Sequence, residues 1–200
     1  MHAAGIVLCG GLSKRMGRAK ASLPFGNQTM LARVVERVGQ AVTPVVIVCA
    51  VDQELPQIPG SVQVIRDEIP EQGPLGGLAA GLASLEGSFD AVVLASCDLP
   101  FLSPAVIERL LQLIGNEQIC IPHVAGRFHP LSAVYKLETV STVKSQLAQG
   151  RLRLLDLIEK LPTRVVSEAE LGDLDPGLKS FRNMNTPAEY AEALRLAGFA

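Results

Sequence analysis

Short apolar runs separated by helix-length segments constrain this chain more than any other feature. Gly5–Cys9, Val45–Cys49, Val62–Ile65, Ala91–Ala95 and Ile119–Pro122 read as strands. They are nearly continuous in apolar residues, without in-and-out alternation, so a sheet covered on both faces is expected. Met30–Val42 sets Leu31, Val34, Val35 and Val38 at helical spacing, and Leu75–Leu85 and Ser103–Gly115 read as further helices. Ser103-Pro104 supplies an N-cap residue followed by proline in the first turn. Alternation of this kind builds a mainly parallel sheet, and hence an α/β fold of three α/β/α layers.

The last third is less regular. Leu131–Tyr135 and Thr163–Val166 read as strands, and Thr139–Gln149 and Leu152–Leu161 as helices. Thr186-Pro187-Ala188-Glu189 is a capping box that opens a final helix reaching Ala197. No repeat, low-complexity tract or linker interrupts residues 1–200, so a single domain is expected. With 200 residues, 48% of them hydrophobic, the chain can bury one sizeable core.

Ligands of such sheets sit beyond the carboxyl ends of the strands. Three features converge on that edge. The first strand runs straight into Gly10-Gly11-Leu12-Ser13-Lys14-Arg15-Met16-Gly17-Arg18-Ala19-Lys20, which holds four cations and three glycines. Glycines let backbone N–H groups approach a ligand closely, and the cations face its negative charge, so a phosphate is the expected occupant. Asp67 follows the third strand and Asp98 the fourth. Asp98 ends a long apolar run, where a carboxylate is costly to bury without a cation. As a hard oxygen ligand it suits Mg²⁺ shared with phosphate oxygens.

Two familiar phosphate motifs are absent. Gly11 and Gly17 are separated by five residues and followed by Arg18, which does not fit a P-loop. Adjacent Gly10-Gly11, with Pro24 downstream and no helix opening directly, does not fit the dinucleotide fingerprint either. A formal net charge of −2 and 4% aromatic residues argue against a nucleic-acid partner. No apolar run approaches the ~18 residues of a membrane span. The N-terminal segment lacks the basic start of a signal peptide. Cys9, Cys49, Cys97 and Cys120 form no Cys-x-x-Cys pair and lie in or beside the strand candidates. They read as buried small hydrophobes of a reducing cytoplasm, without zinc.

Leu8-Cys9-Gly10-Gly11-Leu12-Ser13-Lys14-Arg15-Met16-Gly17…Lys20 resembles the signature of nucleotidyltransferases with a GT-A-like fold, and is most similar to that of the molybdenum cofactor guanylyltransferases. Gly73-Pro74-Leu75-Gly76-Gly77, Cys97-Asp98-Leu99-Pro100 and Asn183-Met184-Asn185-Thr186-Pro187 match three further family elements in the same order. The resemblance implies transfer of GMP from GTP to molybdenum-bound molybdopterin, with Mg²⁺ on Asp98. It implies Arg15, Lys20 and Asp98 as catalytic residues. Leu8, Cys9, Gly10, Gly11, Lys20, Asp67 and Asp98 would contact the nucleotide. It also implies a cytoplasmic enzyme in transient contact with proteins that deliver molybdopterin or mature molybdoenzymes. Lys14 and Arg18 are expected to be solvated, Asn185 to fix the turn before the last helix, and His129 and Asn183 to border the acceptor.

One departure bears on the base. The family often carries an asparagine after the second strand, whereas this chain reads Val48-Cys49-Ala50-Val51-Asp52. Cytidylyl transfer to molybdopterin or another phosphorylated acceptor therefore stands beside guanylyl transfer, and a nucleotide-binding regulator that keeps the fold without turnover is a separate alternative.

Overall fold

A computed structural model describes residues 1–10, 19–58, 60, 62–69 and 71–199. In chain order the regular elements are β1 (Ala3–Cys9), β2 (Pro24–Phe25), β3 (Gln28–Thr29), α1 (Met30–Gly39), β4 (Val45–Ala50), β5 (Gln63–Asp67), α2 (Gly73–Ser84) and β6 (Ala91–Ser96). They continue with α3 (Pro104–Leu113), β7 (Ile119–Val124), β8 (Arg127–Phe128), β9 (Ser132–Lys136), α4 (Val140–Ala148), β10 (Thr163–Ser167) and α5 (Pro187–Leu196).

The main sheet runs β10-β7-β9-β6-β1-β4-β5, with β8 paired to β7. β6, β1, β4 and β5 are parallel neighbours, while β9 enters antiparallel between β6 and β7. β10 pairs parallel with β7. The expected α/β architecture with a mostly parallel sheet is therefore present, with β9 and the short β8 reversed in its second half. The fully buried runs of β1 and β6 explain their unbroken apolar character, since both faces are covered. On one face α1 and α3 pack Leu31, Val34, Val38, Val106 and Leu110 against Val7, Ile47 and Val93. On the other, α2 and α4 bring Leu75, Leu78, Leu82 and Val143 against Ile6, Val48 and Leu94.

Glycines in α2 permit its close approach. A Cβ at Gly81 would lie 2.6 Å from Ile6, and one at Gly77 would lie 2.9 Å from Leu8. Gly77 thus serves packing against the sheet.

Several expectations need correction. The third strand is an exposed edge, with Val64 39% exposed, and is not covered on both faces. Leu152–Leu161 yields only a 3-10 turn at Leu154–Leu157. Ser103 opens α3 without a side-chain cap; its own backbone N–H donates to Ser180 Oγ at 2.9 Å. The hairpins β2–β3 and β7–β8 were too short to show a two-residue period. The capping box at Thr186 is present in full, with Glu189 accepting from the Thr186 N–H and donating its own to Thr186 Oγ1.

A third, smaller cluster joins distant parts of the chain. Leu23, Phe25, Met30, Met184 and Ala193 are buried together, with Phe101 and Tyr190 packed on them. Phe25 meets Phe101 and Phe199 edge-on, at 5.7 and 5.4 Å between ring centres. This cluster seats α5 and the preceding Asn183–Asn185 against the segment that starts at Lys20.

Candidate active site

The strand order changes direction at β1. From β1 the chain steps to β4 and β5 on one side, then returns to β6 on the other. The crevice outside the carboxyl ends of β1 and β6 is therefore the switch point at which open α/β sheets bind ligands. β1 ends at Cys9-Gly10 and β6 ends at Ser96, so the start of the glycine loop and Asp98 border one crevice.

Asp98 is held there by backbone and side chains alike. The Cys97 N–H donates to Leu8 carbonyl at 3.0 Å, tying the β6 exit to β1. The Met184 N–H donates to the Asp98 carbonyl at 3.1 Å. Lys20 Nζ donates to Asp98 Oδ2 at 2.8 Å, and the two side chains are only 17% and 10% exposed. Asn183 Nδ2 lies 3.5 Å from Oδ1, a long contact. Lys20 Nζ also donates to Asn185 Oδ1 at 2.7 Å. The ammonium thus bridges two segments 78 and 165 residues away in sequence.

Asn185 consequently does more than fix a turn. Its backbone N–H donates to Glu189 Oε2 at 2.8 Å, as the turn expectation requires, while its side chain reaches the site lysine. That N–H, with those of the capping box, holds the Glu189 carboxyl below its ordinary pKa. The capping box that follows the two asparagines fixes the backbone at Asn185, whereas the reach of its side chain to Lys20 is set by tertiary contact.

The remaining predicted residues divide in three. Asp67 lies at the end of β5, half-buried, with Oδ1 accepting the Ile69 N–H at 3.2 Å. A Cβ at Gly76 would stand 3.5 Å from Asp67 Oδ2 and 2.5 Å from Gln72, so this glycine allows α2 to start beside the strand end. Leu8 and Cys9 are buried in β1, and Gly10 is exposed just beyond it. Arg15 and Gly11, with Lys14 and Arg18, lie outside the described residues. His129 is a packed residue: Nε2 sits 3.2 Å from the Val124 carbonyl, and the ring lies 4.8 Å from that of Phe181. Burial lowers its pKa.

Two residues near the crevice escaped the sequence reading. Gln53 Nε2 donates to Cys9 Sγ at 3.1 Å, and Arg66 Nη1 donates to Cys49 Sγ at 3.2 Å. All four cysteines are buried and free. A hydrogen bond shared with Cys97 pulls the Cys9 thiol down, while the same bond and burial push Cys97 up. Burial pushes Cys120 up to about 12, which keeps that thiol protonated and inert.

The donor set fits Mg²⁺. Among the described residues Oδ1 of Asp98 accepts only the long Asn183 contact, so a hard carboxylate oxygen remains for a cation. Among the described residues no group of three or more His, Cys, Asp or Glu could enclose a metal. A single carboxylate suffices for Mg²⁺, which completes its shell with water and phosphate oxygens. Among the described residues no helix is long and apolar enough to cross a membrane.

Comparison with known proteins agrees with this fold. The chain is 36% identical over 194 residues to a probable molybdenum cofactor guanylyltransferase of Mycobacterium avium, covering 94% of this chain and 93% of that one. The molybdopterin-guanine dinucleotide biosynthesis protein A of Archaeoglobus fulgidus superposes with a TM-score of 0.82 at 24% identity, over 98% of this chain and 100% of that one. A 2-C-methyl-D-erythritol 4-phosphate cytidylyltransferase of Thermus thermophilus superposes at 0.68 and 16% identity, over 96% and 98% of the two chains, so the fold alone does not select a base. Residues 5–165 match the model of the MobA-like NTP transferase domain. That match takes in the strand-end crevice and both members of the Lys20–Asp98 pair, and the chain belongs to the MobA-like NTP transferase family.

Proposed function

We propose that the protein transfers GMP from GTP to the terminal phosphate of molybdenum-bound molybdopterin, forming molybdopterin guanine dinucleotide and pyrophosphate. The observation that carries the chemistry is the Lys20–Asp98 pair, 2.8 Å apart and largely shielded from solvent at the switch point. Similarity to a chain named as a molybdenum cofactor guanylyltransferase supports the choice of base and acceptor.

An oxygen of the acceptor phosphate forms a bond to the α-phosphorus as the bond from that phosphorus to the β-bridging oxygen breaks. The electron pair leaves with pyrophosphate. No protein nucleophile is needed; alignment and charge neutralisation suffice. Asp98 would hold Mg²⁺, which neutralises phosphate charge when bound. Lys20, already placed by Asp98 and Asn185, would turn its remaining N–H toward the phosphates. The amides from Leu8 to Gly11 and the Arg15 guanidinium complete the cradle in this reading. Asp67 contacts the nucleotide and Asn183 borders the acceptor. The reaction is assigned to the cytoplasm, with transient transfer of molybdopterin from delivering proteins.

The test is pyrophosphate release by the full chain with Mg²⁺, reconstituted molybdopterin acceptor and each of the four NTPs. GTP should exceed ATP by at least about tenfold in kcat/KM, the ratio that roughly one hydrogen bond's worth of discrimination supplies. A preference for CTP would move the chain to cytidylyl transfer. Tight nucleotide binding without turnover would make it a regulator.

A further inference from the structure

Three of the four cysteines stand in one row. The register of β1 with β4 sets Cys9 opposite Cys49. The register of β1 with β6, carried one step past Leu8 and Ser96, sets Cys9 opposite Cys97 on the other side. The Cys97 N–H donates to the Leu8 carbonyl at 3.0 Å, so the pairing does extend to this level. All three side chains lie on the sheet face covered by α1 and α3. The row ends where the crevice begins: Gly10 follows Cys9, and Asp98 follows Cys97. Nucleotidyl transfer itself needs no thiol.

The middle thiol has two neighbours, and hydrogen bonds decide between them. Neighbouring strands are about 4.8 Å apart, within the ~4.4–6.8 Å between Cα atoms that a disulfide spans, so the backbone allows either pair. Cys49 is turned toward β5: its Sγ accepts from Arg66 Nη1 at 3.2 Å and makes a long contact to the Ile65 carbonyl at 3.9 Å. Cys9 and Cys97 instead share a hydrogen bond with each other. Gln53 fixes the Cys9 sulfur, donating Nε2 to it at 3.1 Å. The turn that carries Gln53 is held in its place by Arg66, whose Nη1 donates to the Ala50 carbonyl at 3.1 Å and the Gln53 carbonyl at 2.6 Å.

We infer that Cys9 and Cys97 are a modification site, at which a peroxide closes a reversible disulfide beneath the crevice. The Cys9 sulfur attacks one peroxide oxygen; the O–O bond breaks, leaving a sulfenic acid on Cys9 and releasing one water. The Cys97 sulfur then attacks the Cys9 sulfur, the S–O bond breaks, and the hydroxyl leaves with the thiol proton as a second water. Both thiols are oxidised, and one peroxide is reduced to two waters. The oxidant must be small, because Cys97 is 6% exposed and Cys9 0%. Closure draws the two sulfurs from hydrogen-bond contact to about 2.0 Å. The backbones that must follow lead straight into Gly10 and Asp98, and a displacement of about 1 Å at a reacting centre can cost roughly 10²-fold. An external dithiol reopens the bridge by exchange. The bridge rests on the register and the shared hydrogen bond; its effect on turnover rests on the nucleotidyl-transfer reading above.

The experiment treats the full chain with hydrogen peroxide and maps disulfides by mass spectrometry of alkylated peptides. Pyrophosphate release is followed before treatment, after it, and after dithiothreitol. A Cys9–Cys97 peptide pair should appear as turnover falls by about tenfold or more, and both changes should revert with dithiothreitol. Cys97→Ala should keep after peroxide the turnover it had before, and Cys97→Ser gives the same readout if the alanine variant is unstable. Cys49→Ala and Cys120→Ala should bridge and lose turnover as the wild type does. A Cys9–Cys49 bridge, sulfinic acid without any bridge, or a Cys9–Cys97 bridge that leaves turnover unchanged overturns the inference. A Cys97 variant that peroxide inactivates as it does the wild type overturns it too. A reduced wild-type chain without turnover on any NTP overturns the guanylyl reading instead, and the peptide map then decides the modification site by presence or absence of the bridge.

Discussion

Asp98 and Asp67 both stand at the carboxyl ends of parallel strands, yet one is roofed over by the last third of the chain and the other lies open. Asp98 is buried, and Lys20, Asn183 and the Met184 N–H all converge on it. Asp67 sits on the exposed edge strand, with only the Ile69 N–H two residues away as a side-chain partner among the described residues. The contrast separates two uses of a carboxylate. At the β6 end, charge is placed and oriented before any ligand arrives, which is what stabilisation of a developing charge requires. At the β5 end the half-buried carboxylate has no cation paired with it among the described residues and is left for a ligand, which favours binding over chemistry.

The sharpest way to break this comparison is Asp98→Asn. The amide keeps the shape but removes the charge that would hold Mg²⁺, so kcat should fall by a factor on the order of 10³ or more. The fold should persist, because Lys20 keeps its bond to Asn185 and retains partial access to water. Near-wild-type kcat at saturating Mg²⁺, in a steady-state pyrophosphate assay, would show that the buried carboxylate is only a structural cap.

Lys20→Ala comes next. Charge grows on the transferring phosphates during reaction, so an ammonium there should lower the barrier as well as aid binding. We expect kcat to fall by roughly 10²-fold and the KM for GTP to rise, with partial recovery in Lys20→Arg. The arginine recovers charge but not the compact geometry that lets one ammonium meet both Asp98 and Asn185. An effect confined to KM would mean that Lys20 acts only on the ground state, and would erase the distinction between the two ends of the crevice.

How far this site was legible follows from the range over which each contact acts. β1, β4 and β6 announced themselves because burial on both faces leaves unbroken apolar runs. α5 did so through the local capping box at Thr186. Lys20 and Asp98 were singled out as chemistry-bearing residues, but nothing local joins them; their contact depends on the β1–β6 pairing. The entry of β9 between β6 and β7 is likewise non-local, since neither its length nor its composition encodes which neighbour it takes. Asn185 was assigned only half its work because its backbone role is written in the adjacent sequence, whereas its side-chain partner lies 165 residues upstream. Gln53 and Arg66 carried no motif at all. Their meaning comes from a turn that only the β4–β5 register brings under one guanidinium.

The smallest effect is expected at the open end. Asp67→Asn removes a charge that has no cation to balance among the described residues, so the free protein should melt within a degree or two of wild type. The amide oxygen can still accept the Ile69 N–H, and the turn leaving β5 should hold. Lost ligand contact should raise the KM for GTP by about three- to tenfold, one hydrogen bond's worth, with kcat at saturation unchanged. Measuring kcat and KM together decides the matter. A fall in kcat comparable to that of Lys20→Ala would mean that the β5 end takes part in the chemical step, and that pairing with a cation in the free protein does not divide binding groups from catalytic ones in this crevice.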